Sequence, residues 1–174
     1  MSVTERALRD VMGLFPTGVA VVTTRAVGGM LYGVTVNSFN SVSLEPPLVL
    51  FCLARNLYSL QAYLDAEAYA VNILREDQRG LSVRFGGPQL DKWTDIAYRE
   101  GVTGSPVLHP TLAVLECRPH AHYDGGDHLI FVGEVVHLGE PTEDKPLAFF
   151  RGRYHRLNPG GQEDDAAEKP EPGR

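Results

Sequence analysis

The sequence predicts a mainly β domain with short helices, an α+β chain without a doubly wound sheet. Three observations carry this. About six or seven apolar or β-branched runs of strand length punctuate the chain. Three short helical patterns fall among them without the regular alternation that a parallel sheet needs. Neither GxGxxG nor GxxxxGK followed by Ser or Thr occurs, so the usual sequence signs of a dinucleotide or nucleoside triphosphate site are absent.

Taken in order, Ser2 to Glu5 fits a capping box, with Ser2 accepting from an N–H of the first turn and Glu5 reaching back. Ala7, Leu8, Val11, Met12 and Phe15 then share one helical face opposite Arg6, Arg9 and Asp10, and Pro16 and Gly18 end the helix. Val19 to Thr24 is a β-branched run, Val27-Gly28-Gly29 a turn, and Met30 to Val36 the next strand. Leu48 to Leu53 is apolar throughout and too short for an ordinary helix, which predicts a strand buried on both faces. Leu57, Leu60, Gln61 and Leu64 set a short helix. Tyr69 to Leu74 returns as a strand, and Glu76 to Phe85 reads as a second short helix with Asp77 near its start. Gly86 to Leu108, rich in Gly and Pro, reads as a long loop of the kind that is functional or partly mobile. Thr111 to Tyr123 and Leu129 to Leu138 form a hairpin joined by Asp124-Gly125-Gly126-Asp127. Past Leu157 the composition turns to Pro, Gly and acid. The expectation is one domain over 1–157 and a disordered tail over 158–174.

Composition narrows the function classes. At 174 residues the chain is large enough for a real core, and 43% hydrophobic with 22% charged residues is ordinary for a globular protein. No apolar run approaches the ~20 residues needed to span a bilayer. The N-terminus has no apolar signal core, so a cytoplasmic location is expected and a membrane partner is not. The net charge is −6, of which the tail contributes −3 through five acids against Lys169 and Arg174. Nothing supplies the concentrated basic surface that nucleic acid requires. Cys52 and Cys117 lie in apolar strand patterns without metal-ligand or CxxC spacing, which predicts free, buried thiols.

The densest chemistry lies between Thr35 and Pro47. Thr35, Ser38, Ser41 and Ser43 supply hydroxyls and Asn37 and Asn40 supply amides, with apolar strands on both sides. Such a cluster is either a polar loop or an anion site built from short hydroxyls and backbone N–H groups.

With its surroundings the cluster resembles the flavin reductase-like family, the FMN-binding split barrels that supply reduced flavin to two-component monooxygenases. The matching pieces are FPTGVAVVTT (Phe15 to Thr24), GVTVNSFNSVSLEPPLVLFCLA (Gly33 to Ala54), AVNILREDQRGLSVRF (Ala70 to Phe85), GSPVL (Gly104 to Leu108), LECRPHAHYDGGDHLIFVGEV (Leu115 to Val135) and RGRYHRL (Arg151 to Leu157). They occur in order and cover nearly all of the chain up to Leu157. The runs CLAR, LREDQ and RF look like the reductases of actinobacterial antibiotic pathways. The resemblance implies a Greek-key-like split β-barrel and a homodimer with flavin near the subunit interface. It also implies NAD(P)H-dependent reduction of FAD or FMN, the reduced flavin passing by diffusion to a flavin-dependent monooxygenase. The absence of a strongly basic pocket for a 2′-phosphate leans to NADH over NADPH.

The same resemblance places residues. Flavin contacts fall on Thr35, Val36, Asn37, Ser38 and Ser41, then Cys52, Leu53 and Ala54, with Ser59 and Leu60 nearby. For Leu53 and Leu60, core packing remains an equal reading of the side chains. Arg84 at the end of the second helix, followed by Phe85, is either a phosphate partner or a solvated residue compensating the helix dipole. Thr17 shapes a turn or touches flavin. His128, at the hairpin tip, is the catalytic candidate. It orients the nicotinamide or donates a proton, or is a solvated turn histidine, with Asp127 fixing the turn. Arg151 and Tyr154 match a segment that helps hold the pyridine nucleotide. His120 and His122 share a strand face, but no third ligand stands by, so no metal is expected. Two other readings stay open: a binding module that keeps FMN permanently, and a pyridoxamine-phosphate-type oxidase on the same barrel, which would need a more basic phosphate pocket.

Overall fold

The computed structural model describes residues 3–88 and 91–157. The predicted Ser2 cap and the tail from Asn158 lie outside the described residues. In chain order the elements are α1 (Glu5–Met12), β1 (Thr17–Gly18), β2 (Ala20–Arg25), β3 (Leu31–Val36), β4 (Asn40–Leu44), β5 (Pro47–Ala54), α2 (Leu60–Leu64), β6 (Tyr69–Ile73), α3 (Arg79–Gly86), β7 (Tyr98–Glu100), β8 (Pro106–Leu108), β9 (Ala113–Gly125), β10 (His128–Leu138), β11 (Leu147–Phe150) and β12 (Arg153–Arg156). One antiparallel sheet of seven strands runs β3-β2-β6-β9-β10-β5-β4 and does not close, consistent with a split barrel. A three-stranded sheet, β1-β11-β12, and the pair β7-β8 stand beside it.

The core divides at β2. Val22 and Ala20 face an aromatic cluster, whereas Val19 and Val21 face a second cluster beneath α3 with Leu74, Phe85, Leu108 and Leu147. In the first, Phe51 and Phe131 are register partners across β5 and β10 and stack at 5.3 Å, with Tyr69 edge-on to Phe51 at 5.5 Å. Fully burying such a ring contributes about 1.5–3 kcal/mol. Buried Asn72 closes the polar account between the layers. Its amide donates to the Val21 carbonyl at 3.0 Å, and its Oδ1 accepts from Leu108 N at 2.9 Å.

Several sequence expectations change. The strands buried on both faces are β2 and β6; β5 alternates, with Val49, Phe51 and Leu53 inward and Leu50, Cys52 and Ala54 only half-buried. Cys117 is buried, its thiol pushed up to about 12 by burial and then by Glu116, but Cys52 is not fully buried. Helix α1 is capped by Thr4, whose Oγ1 accepts from Ala7 N at 3.2 Å. Its apolar stripe exists, yet Leu8, Val11, Met12 and Phe15 are all exposed in the chain. The hydroxyl-rich loop is partly strand, since Asn40–Leu44 pairs with β5. The long loop after α3 contains the β7–β8 pair, and it returns Trp93 to pack edge-on against Phe85 at 5.2 Å.

Helix α3 packs closely on β3 where Gly33 faces Phe85. A methyl group at Gly33 would stand 2.5 Å from the ring of Phe85, which is fully buried and has no solvent to swing into. Gly33→Ala should therefore lower unfolding stability by about 1–3 kcal/mol through overpacking. The measure is a reduced urea midpoint at unchanged slope; a midpoint equal to wild type would show that helix and strand do not depend on this contact.

Candidate active site

Alternation along β3 sends Gly33 and Thr35 toward α3 and Val34 and Val36 toward the aromatic core. Thr35 Oγ1 donates to the Ser82 carbonyl of α3 at 2.7 Å. The Ser82 hydroxyl lies 2.8 Å from the Tyr154 hydroxyl of β12. One turn earlier on α3, Arg79 sets its guanidinium 5.5 Å from the centre of the Tyr154 ring, and Phe149 meets that ring edge-on at 5.3 Å. Thr35, Val36, Asn37, Ser82, Phe149 and Tyr154 thereby line a recess of about 170 Å³.

Through Asn37 and Phe149 the recess continues into a cleft of about 590 Å³. Its walls include Arg9, Phe15, Thr17, Ser38, Phe150 and Arg151. Arg151 adopts φ +50°, its N–H donates to the Gly13 carbonyl at 2.8 Å, and its guanidinium lies 5.3 Å from the Phe150 ring centre. Thr17 Oγ1 is buried with no hydrogen-bond partner. A buried hydroxyl left unpaired costs about 1–3 kcal/mol, so its place on the cleft wall marks it as a group suited to a bound polar ligand.

Ser38 ties this groove to β5. Its hydroxyl accepts from Cys52 N at 2.9 Å and lies 3.5 Å from the Cys52 carbonyl oxygen. It is therefore a structural hydroxyl that also lines the cleft, rather than a solvated loop side chain. Two residues on, Ala54 is the register partner of His128, so the strand that Ser38 is bonded to also carries the hairpin tip. His128 Nδ1 is 2.8 Å from Asp127 Oδ1. That contact first, and then the charge of His128, hold the Asp127 carboxyl below its ordinary range; Arg9, which lines the cleft, contributes in the same sense.

The structure thus brings together Thr17, Thr35, Val36, Asn37, Ser38, Arg151 and Tyr154. Val36, Leu53 and Phe85 are buried, so toward any ligand they offer backbone and not side chain. Leu60 packs against the aromatic core. Ser41 is exposed on β4. Arg84 is not among the groove's lining residues; its guanidinium donates to the Thr94 carbonyl. Ser59 lines a separate cleft of about 400 Å³ with Tyr32, Gly33, Gly86, Lys92 and Trp93. Burial lowers the pKa of Lys92, whose ammonium donates to the Phe85 carbonyl at 2.8 Å. Sequence reasoning missed Ser82, Phe149, Arg79 and Arg9. The run Leu147–Phe150 just before Arg151 was the available signal for Phe149, while the others carry no local mark.

Comparison with known proteins bears on this groove. The family profile described as "Flavin reductase like domain" matches residues 12–158. The chain is similar to the reductase subunit HsaB of a flavin-dependent monooxygenase from Rhodococcus jostii, 40% identical over 154 residues that cover 88% of this chain and 78% of that one. It is similar to the FMN reductase (NADH) SmoA of Agrobacterium fabrum, 42% identical over 155 residues, 88% of this chain and 86% of the other. Among solved structures, the Streptomyces globisporus C-1027 NADH:FAD oxidoreductase SgcE6, in complex with NAD and FAD fragments, superposes with a TM-score of 0.84 at 37% identity, covering 90% of this chain and 94% of that one.

The double use of Ser38 gives a measurable consequence. Ser38→Ala strands the Cys52 N–H, so it should cost about 1–3 kcal/mol of stability as well as ligand affinity. Chemical denaturation checks the first and flavin titration the second; a variant with wild-type stability would show that the hydroxyl does not brace β5.

Proposed function

The chain belongs to the flavin reductase-like family, and from that membership and this groove we infer that it is an NAD(P)H-dependent flavin reductase supplying reduced flavin to a partner monooxygenase. The observation that carries the inference is the meeting of two distant segments. Thr35 to Ser38 and Arg151 to Tyr154 share one groove, and the unpaired hydroxyl of Thr17 is buried in its wall. The flavin supplies the hydride acceptor and the reduced nicotinamide supplies the hydride; the chain supplies proximity, orientation and exclusion of water.

Each residue has a place in that division. Thr17, Asn37 and Ser38, with the backbone of Thr35 and Val36, take the polar parts of the flavin. The half-buried outer face of β5, Cys52 and Ala54, gives an apolar wall, with Leu53 behind it in the core. Arg151 and Tyr154 hold the pyridine nucleotide, NADH in preference to NADPH, and His128 orients the nicotinamide. Arg84, Phe85, Ser59 and Leu60 shape the neighbouring α3 and α2 boundaries, and Ser41 the β4 edge. The exposed apolar stripe of α1 supports a homodimer. No helix among the described residues is long and apolar enough to cross a membrane.

Steady-state oxidation of NADH with added FMN or FAD tests the activity. Stimulation by either flavin is expected; stimulation by neither, with flavin retained through purification, would instead favour a protein that keeps FMN as a permanent group. His128→Ala should raise the apparent constant for NADH and slow hydride transfer by about tenfold or more, without changing flavin affinity. The loss should be level across neutral pH. The Asp127 carboxyl is held below its ordinary range, so it is ionised throughout neutral pH and can accept from the imidazole Nδ1–H whether or not the ring is charged, and this hold is lost as pH falls through the lowered carboxyl value. A wild-type rate that falls as pH rises through neutrality, with that fall absent in the variant, would assign His128 a proton-donor role instead.

A further inference from the structure

Arg55 holds the turn that carries His128 at three points. It is the first residue beyond β5, next to Ala54, which faces His128 across the ladder. Its backbone N–H donates to the Asp127 carbonyl at 2.9 Å. Its Nε donates to the Gly126 carbonyl at 2.7 Å, and its Nη2 meets Asp124 Oδ2 at 2.7 Å. The other oxygen of Asp124 accepts the Gly126 N–H at 2.9 Å. Both carbonyls of the two-residue turn are therefore tied to one residue, and the next residue in the chain is His128.

The chemistry of these contacts suits direction more than stability. The Arg55 side chain is 44% exposed and Asp124 78%, and exposed pairs of this kind contribute about 0–1 kcal/mol. A guanidinium, however, presents its donors in a fixed planar fork, so two acceptors on it are held in one relative orientation. The turn needs such a constraint. Gly126 sits at φ +78°, in a region that glycine enters and leaves with little cost. The Gly126 N–H first, and Arg55 next, keep the Asp124 carboxyl below its ordinary range, so the clamp keeps its charge through neutral pH.

We propose that Arg55 is a positioning residue for His128: by fixing the carbonyls of Gly126 and Asp127 it fixes the start of β10, and with it the direction in which the imidazole meets the nicotinamide. The proposal rests on the nicotinamide-orienting role inferred for His128 above.

A double-mutant cycle read by single-turnover hydride transfer at subsaturating NADH tests it. Arg55→Ala should slow transfer about tenfold, the scale expected of a misdirected reacting partner. Flavin affinity and the thermal midpoint should stay near wild type. Arg55→Lys keeps the charge but not the fork, so it should restore little of the rate. In the His128→Ala background, Arg55→Ala should cost nothing further. An equal loss in both backgrounds would overturn the proposal, because Arg55 would then act elsewhere, and so would a wild-type rate in Arg55→Ala. Should Arg55→Ala fail to fold, Asp124→Asn serves in the same cycle, since it removes the carboxylate facing Arg55 while keeping an oxygen for Gly126. A wild-type rate in His128→Ala alone would bring down the reading of His128 itself, a result distinct from any obtained with Arg55.

Discussion

The close approach of α3 to β3 is the constraint on which the groove depends. Gly33 leaves room for the buried Phe85 ring, and Gly86 at the helix end faces Thr35 at van der Waals distance, 3.6 Å from where its own Cβ would stand. With helix and strand at this separation, Thr35 reaches the Ser82 carbonyl and Ser82 reaches Tyr154. A side chain at Gly33 would push the helix outward, and the chain of hydroxyls from β3 to β12 would lose its first link. The recess is thus a product of backbone packing, and the hydroxyls of Thr35, Ser82 and Tyr154 are already held by protein partners. Preorganisation of this kind lowers the ordering cost of binding.

Strand β5, which Ser38 joins to the groove, works differently. Ser38 and His128 sit at opposite ends of a short stretch of β5, one bonded to Cys52 and the other paired with Ala54. Ladder hydrogen bonds between β5 and β10 fix that spacing, while the turn at Gly126 leaves the imidazole's direction to side-chain contacts. Those contacts are exposed, so their individual effect on stability is small. Rigid strand and adjustable tip thus meet at His128.

Much of the sheet was legible because β-branched and apolar runs record burial directly. The hairpin of β9 and β10, the strand β2 and the turn at Gly126 stand where the pattern put them. Burial on both faces was assigned to the wrong strand. Leu48 to Leu53 is the more uniformly apolar run, yet β2 carries Val21 and Val22 into two different clusters, and Thr23 and Thr24 are buried through hydroxyl bonds to carbonyls. Apolarity alone does not distinguish a strand between two layers from one whose outer face awaits a partner. Strand β4 was hidden in the hydroxyl-rich segment, since Asn40 and Ser41 lack strand propensity and are held by the edge of β5. In the candidate groove, the resemblance pointed to Asn37, Ser38 and Tyr154, which the structure does bring to its lining. It did not point to Ser82 and Arg79, because their roles come from α3 crossing β3 and β12, a contact between segments far apart in sequence.

The outer surface connects these points. Cys52 with Ile130, and Ala54 with His128, are register pairs and so share one face of the sheet. Tyr123, facing Ile130 across β9, is 56% exposed. On α1, Val11 is 63% exposed and Met12 58%, on a helix with no buried residue of its own, and Phe15 just beyond it is exposed as well. An amphipathic helix whose apolar side faces water contributes nothing by hydrophobic burial, and most helical stability comes from such burial. A second copy of the chain, as in the proposed homodimer, would give that stripe its partner. It would also act on the groove, because Arg9, Met12 and Phe15 of the same region line the cleft with Thr17 and Ser38. In that proposed dimer, covering the stripe would also close the cleft, and the contact that gives α1 its partner would shield the groove from water.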